Sequence, residues 1–294
     1  MLAEIAKSQP RELWVIADGA RPNCPGEKRQ VAATRELIDD FEKQLDWTCQ
    51  IQRNYSEKNL GCKQRVASGL DWVFDACTQA IVLEDDCLPT SDFFSFCQDL
   101  LDRYQEDRRV MSIGGVNFQN GLQRSSSSYY FTKYFHCWGW ASWRRAWKHY
   151  DLSMKSWSEF KSSGGLHAFC DTSREEAYWQ KTLTTAHDNL IDTWDYALFY
   201  SFLSQGGMQI LPSTNLVSNI GFGVGATHTT NAQDRLSKLP LGRIEKMQHP
   251  PFVIRSKEAD QYTFDHCFSP PRTRGWKKWP SRLSKYMRRF SGKC

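Results

Sequence analysis

Apolar positions follow two periods along this chain, and the switches between them mark its elements. Ala80-Ile81-Val82-Leu83 is an unbroken apolar run of strand length, the pattern of a strand buried on both faces. It leads straight into Glu84-Asp85-Asp86, and Pro89, which cannot donate to a sheet ladder, closes it. Phe93, Phe96, Cys97, Leu100, Leu101 and Tyr104 then recur at helical spacing on one face. Upstream, Leu2 and Ile5 mark the end of a helix over residues 1–6 that Pro10 stops. Residues 13–17 read as a second buried strand, running into Asp18-Gly19. Val31, Ile38, Phe41 and Leu45 predict a helix, and the alternation of Trp47, Cys49 and Ile51 predicts a half-buried strand. A polar loop over 54–62 precedes another helix, marked by Val66, Leu70, Val73 and Cys77. Residues 109–113 are a strand closing on Gly114-Gly115.

Strand, helix, strand, helix, strand predicts an α/β fold with a parallel, doubly wound sheet. The chain starts inside a helix, whereas such folds start with a strand. A leading strand, central in this fold class, is therefore expected to be missing. The second half is less regular. Residues 129–135 are aromatic enough for a strand, and 193–206 read as a helix opening on Trp194-Asp195-Tyr196. A short strand covers 208–211, and 221–230 form a glycine-rich loop. Trp138, Trp140, Trp143 and Trp147 cluster within 136–147 and are expected to be mostly core, with one or two indoles left accessible. No internal repeat is visible.

Composition narrows the class. With 294 residues and 40% hydrophobic content the chain can bury one large core or two small ones. No apolar stretch approaches a membrane span, and no signal peptide is visible. The 10 cysteines include no CxxC pair and no Cys/His metal spacing, so reduced, buried thiols in a cytoplasmic protein are expected. The net charge of +5 is uneven: residues 272–294 carry nine Lys or Arg and no acid. The remainder is therefore negative by about four charges, which excludes nucleic acid as a partner of the body.

The acid trio then becomes the central feature. Adjacent carboxylates repel one another, and a divalent cation offsets that repulsion, since hard cations select carboxylate oxygens. The bland alternative is an acidic loop of solvated charges. In an open α/β sheet, however, ligands bind at the carboxyl ends of strands, where this trio falls.

Four segments together resemble a known family. Glu84-Asp85-Asp86 followed by Asp92-Phe93-Phe94 is similar to the acidic motif of the N-acetylglucosaminyltransferase I family, and 107–121, with Asn117 and Asn120, resembles the stretch after it. Phe222-Gly223-Val224-Gly225-Ala226-Thr227-His228 resembles that family's late glycine-rich loop. Segments 59–66, 83–89 and 138–147 look closer still to family-2-like glycosyltransferases of bacteria. The resemblance covers about residues 11–268. It implies a GT-A domain over 1–268, a mixed sheet flanked by helices, and a basic tail over 269–294. It also implies Mn²⁺ or Mg²⁺, a nucleotide-sugar donor with UDP-sugar as the default, and a glycan or lipid-linked acceptor in polysaccharide assembly.

Residue by residue, the resemblance makes Asp86 the metal ligand and His228 a second one. Glu84 and Asp85 hold the ribose, the sugar or metal-bound water. Asp18, at a strand end, contacts the nucleoside; its alternative is a turn residue. Lys63 and Arg65, at a helix start, meet the diphosphate, or are solvated helix charges. Asp195 is the catalytic base of an inverting transfer, with Trp194 and Tyr196 as an apolar wall; the alternative is a helix N-cap, and Asp192 is its nearest rival.

Two other readings stay open. One is a degenerate transferase domain that binds carbohydrate or scaffolds an assembly. The other is a sugar-phosphate nucleotidyltransferase of the same architecture. In the tail, Trp276, Trp279, Leu283, Met287 and Phe290 at helical spacing among basic residues describe an interfacial helix making peripheral membrane contact, or a disordered basic extension.

Overall fold

The computed structural model describes residues 1–222 and 235–269. Helix α1 (Leu2–Ser8) ends where Gln9 turns left-handed at φ 44° ahead of Pro10. Strands β1 (Glu12–Ala17) and β2 (Gln50–Tyr55) pair in parallel, Leu13 opposite Ile51, with α2 (Glu27–Lys43) as the crossover. Trp47 and Cys49 precede β2 instead of joining it, and Trp47 donates its indole N–H to the Pro10 carbonyl at 2.9 Å. Helix α3 (Gly61–Ala76) leads into β3 (Gln79–Val82). After the acidic turn come β4 (Cys87–Pro89), α4 (Ser91–Arg103), β5 (Val110–Gly114) and β6 (Tyr129–Thr132). Then follow β7 (Trp140–Trp143), α5 (Arg144–Trp147), α6 (Trp157–Ser162), α7 (Gly165–Phe169) and α8 (Ser173–His187). Helix α9 (Asp195–Ser204), β8 (Met208–Pro212), β9 (Val217–Asn219) and α10 (Lys257–Thr263) are the later elements.

Five strands join in the order β3-β7-β5-β8-β6. β7 is antiparallel to β3 and β5, β8 is parallel to β5, and β6 is antiparallel to β8. β1 and β2 form a separate parallel pair, and β4 pairs antiparallel with β9. The parallel, doubly wound order read from the first half holds only for the β1–β2 pair and for β5 with β8; the larger sheet is mixed and flanked by helices, as the mixed-sheet expectation had it. β3 lies at the edge of its sheet, and its Ala80, Ile81 and Val82 are only half-buried. The strands buried at every position are β5, β6 and β7. An apolar run reports that a segment avoids water; it does not say which neighbours it finds.

Helix α3 straddles the two sheets. A Cβ on Gly69 would come within 2.5 Å of Ile16 in β1, and Trp72 meets Trp14 edge-on at 4.5 Å. Leu70 and Phe74, with Val66, pack toward Ala80 and Val82 of β3. The main core lies under α4, where Phe93, Phe96 and Leu100 meet Val110, Ile113, Phe131 and Ile210. Trp140, Trp143 and Trp147 are buried as expected, and Trp138 is the half-exposed member of the cluster.

A second cluster fixes α8 against α9, the helix that carries Asp195. Buried Lys133 anchors it, with Nζ 2.7 Å from Glu175 Oε1 and 2.8 Å from Asp171 Oδ2, and the Tyr134 hydroxyl donates to the same Glu175 oxygen. Lys133→Met is expected to lower stability by about 3–5 kcal/mol, because the nearly inaccessible Glu175 loses its cation. Urea unfolding checks this; an unshifted midpoint would mean that the pair is solvated. Among the described residues no helix is long and apolar enough to cross a membrane. The tail segment 272–294 lies outside the described residues.

Candidate active site

β3, β5 and β8 run in the same direction, so their carboxyl ends share one edge of the five-stranded sheet. The acid trio sits at the end of β3 in a tight turn that the Cys87 N–H closes onto the Glu84 carbonyl at 3.0 Å. Beyond the turn, β4 zips onto β9, and the Ile220 N–H donates to the Asp86 carbonyl at 2.8 Å. The backbone of the turn is thus held at both ends.

The three carboxylates point to different places. Asp85 is exposed. Asp86 is half-buried beside Asn219, which hydrogen-bonds its carboxylate, and Cys87, whose thiol lies 3.6 Å from Oδ1. Glu84 is largely buried, and its Oε1 accepts the Trp194 indole N–H at 3.2 Å. Trp194 is the joint of the site: it is buried, stacks on Trp140 at a centroid distance of 5.7 Å, and immediately precedes Asp195 at the start of α9. Asp195 Oδ1 accepts from the Tyr196 amide at 2.9 Å and from the Thr193 hydroxyl.

These acids act on one another. Burial pushes Glu84 up to about 7, and the charges of Asp86, Asp195 and Asp85 push the same way against the Trp194 indole. Asp86 is raised too, by burial first and then by Asp85, against the hydrogen bond from Asn219. Cys62, not singled out from the sequence, lies among them. Burial, then Glu84, Asp192, Asp195 and Asp18, lift its thiol to about 12.

Gly221 closes the site from above. A Cβ there would fall 2.2 Å from Asp86 Oδ2, so only glycine lets this backbone lie against the carboxylate. Phe222 meets Trp138 edge-on at 5.6 Å and walls the same side. His228 lies outside the described residues.

The start of α3 corrects three expectations. Asp18 accepts from the Gly19, Leu60 and Gly61 amides and from Asn59 Nδ2, at 2.8–3.1 Å. That fills a carboxylate's acceptor sites, so Asp18 holds the loop before α3 against β1 instead of presenting free acceptors to a nucleoside. Asp192 covers the next two amides, those of Cys62 and Lys63, at 3.2 and 3.1 Å. The helix end expected to receive a diphosphate is therefore occupied by two of the protein's own carboxylates. Arg65 is buried against the Asn54 carbonyl and side chain, at 2.6 and 2.9 Å, and Lys63 Nζ donates to Asn189 Oδ1 at 2.6 Å. Neither points into the acid cluster as a free cation. No signal within 59–66 could show this, because the partners come from distant segments.

Neither a scan against family models nor a search of curated proteins finds a match for this chain.

Among the described residues no three His, Cys, Asp or Glu side chains form a ready cage for a metal. Mg²⁺-like cations need none: they bind through one or two carboxylates and complete their shell with phosphate and water. Asp86 and Glu84 fit that mode, as partly buried acids whose strongest neighbours include further acids.

Proposed function

We propose that the protein is a metal-dependent, inverting glycosyltransferase of GT-A architecture. It moves a sugar, hexosyl or N-acetylhexosaminyl, from a nucleotide-sugar donor to a hydroxyl of a glycan or lipid-linked acceptor. UDP-sugar is the default donor. The observation that carries this reading is the joint at Trp194, which ties Glu84 of the acid turn to Asp195 at the strand-end edge of the sheet. The mixed sheet flanked by helices is compatible with a GT-A architecture.

Bound Mn²⁺ or Mg²⁺ would supply Lewis-acid stabilisation of the departing diphosphate. Asp86 would hold it, with His228 as the proposed second ligand. Glu84, anchored on the indole, sets the depth of the site, and exposed Asp85 reaches toward the ribose or a bound water. Asp195 takes the proton of the acceptor hydroxyl as its oxygen attacks the anomeric carbon. Buried Trp194 and the Phe222–Trp138 pair keep water from two sides.

Asp195→Asn is expected to cut transfer by about 10²–10⁴-fold while nucleotide affinity stays unchanged. Wild-type turnover in that variant removes Asp195 as the base. A second reading, a non-catalytic carbohydrate-binding domain, is favoured by the closed helix end at α3, where Asp18 and Asp192 leave no anion site. Calorimetric titration of the wild type with nucleotides in Mn²⁺ separates the two, because only the transferase binds them.

A further inference from the structure

A cavity opens at the same end of the five-stranded sheet as the acid turn. Its volume is about 510 Å³, and it lies where the chain leaves the carboxyl ends of β5 and β8. Asn117, Ser127, Ser213, Thr214, Asn215 and Gln248 give its lining a dense set of amides and hydroxyls. Apolar contact comes from Leu239, Pro240 and Ile244.

The walls are tied before any ligand arrives. Ser128 and Gln248 exchange backbone and side-chain hydrogen bonds at 2.8 Å, and Ser213 Oγ donates to the Ser127 carbonyl at 2.6 Å. The Gly242 amide donates to the Asn215 carbonyl at 2.8 Å. Such a cleft needs little ordering on binding.

Asn215 is the informative residue. It is 95% buried, since only 5% of its surface is accessible. Its Oδ1 accepts the Asn117 amide at 3.0 Å, yet its Nδ2 has no hydrogen-bond partner. A buried, unpaired amide donor costs about 1–3 kcal/mol and calls for an acceptor. Asn117 cannot serve, because its Oδ1 already takes the Gln119 amide and its Nδ2 the Pro212 carbonyl. Asn215 also stands just ahead of β9, whose far end reaches Asp86 through Asn219. At strand rise the two positions are about 13 Å apart.

We propose that this cleft is a carbohydrate subsite: it takes the polyhydroxylated body of an oligosaccharide and pairs one sugar oxygen with Asn215 Nδ2. Hydroxyl-rich sugars suit these amides and hydroxyls, with the small apolar wall against C–H faces, and Arg243, Glu245 and Lys246 in the same lining add charged donors and an acceptor for sugar hydroxyls. The further assignment, that the bound chain is the acceptor whose end reaches Asp195, rests on the transferase reading; the binding does not. Holding the non-reacting part of an acceptor here would orient its terminal hydroxyl.

The test titrates the full-length protein with chitotetraose, maltotetraose and a cello-oligosaccharide and follows the side-chain amide resonances of asparagine by NMR. At least one sugar should shift the Asn215 resonances saturably. Asn215→Asp keeps the oxygen that accepts from Asn117 and deletes the donor, so affinity should fall about tenfold or more. Gln248→Ala, on the exposed rim, should weaken binding without touching the interior. Asp86→Asn should leave sugar binding intact, so loss of transfer with retained binding separates the two proposals. Absence of a saturable shift with all three sugars, or affinity that neither Asn215→Asp nor Gln248→Ala changes, overturns the subsite.

Discussion

If the proposed transferase chemistry holds, Asp86→Asn is expected to abolish the Mn²⁺-dependent part of nucleotide binding and to lower transfer by about 10³-fold or more. The scale follows from the several kcal/mol that a Lewis acid contributes to a diphosphate leaving group, at 1.36 kcal/mol per tenfold in rate. The substitution keeps the shape of the residue. The turn is held through the Asp86 carbonyl by Ile220 and through Cys87 by the Glu84 carbonyl, and neither bond involves the carboxylate. The Asn219 and Gly221 backbone can therefore stay where it is. Without metal the variant should melt no lower than wild type, since a half-buried charge beside two other acids has been removed. Isothermal titration of UDP with and without Mn²⁺ reads the binding, and a coupled assay reads transfer. Metal-dependent affinity that survives in Asp86→Asn would place the cation elsewhere.

The pH dependence of stability should expose Glu84. Its folded value is about 7, against an ordinary 4.5. Between those values the folded protein binds more protons than the unfolded chain, so stability falls as pH rises through this window. The largest loss from Glu84 alone is about 3 kcal/mol, complete above pH 8. Asp260, raised to about 6 by burial against the hydrogen bond from Thr132, adds a loss of the same sign. The readout is therefore a difference: melting temperature from pH 4.5 to 8.5 in chelator, wild type minus Glu84→Gln. The variant should lack the Glu84 part and be the more stable protein at pH 8. Added Mn²⁺ should flatten the wild-type curve, because a cation replaces the proton. Superimposable curves for the two proteins in chelator would mean that Glu84 titrates as a solvated acid.

Some of this site was legible before any coordinates. An apolar run meeting three acids marks a strand end, since both halves of the signal are contiguous. The Trp194-Asp195 pair likewise showed as a helix start, because the switch to helical periodicity is local. The joint between them was not legible: the indole and Glu84 Oε1 are 110 residues apart in sequence. Gly221 was read only as part of a flexible loop, although its proximity to Asp86 is what requires glycine there.

The misread residues share one cause. Asp18, Lys63 and Arg65 have the chemistry of a phosphate-binding corner, and each finds an internal partner instead. Asp18 caps a loop 42 positions later, and Asp192 reaches back 130 positions to the same helix end. Charge and position predicted what these groups could bind; only the approach of distant segments decided that the protein itself would bind them first.

By itself the sequence determined the types of most elements up to β5, the amphipathic face of α4 and the clustering of acids at one strand end, all properties of neighbours a few residues apart. The tertiary structure decided that β3 would be an edge strand, that β7 would enter antiparallel, and that Asn215 would be buried with an unpaired donor. Those outcomes depend on which surfaces meet across the sheet, and strand pairing and burial are won by competition among all segments at once.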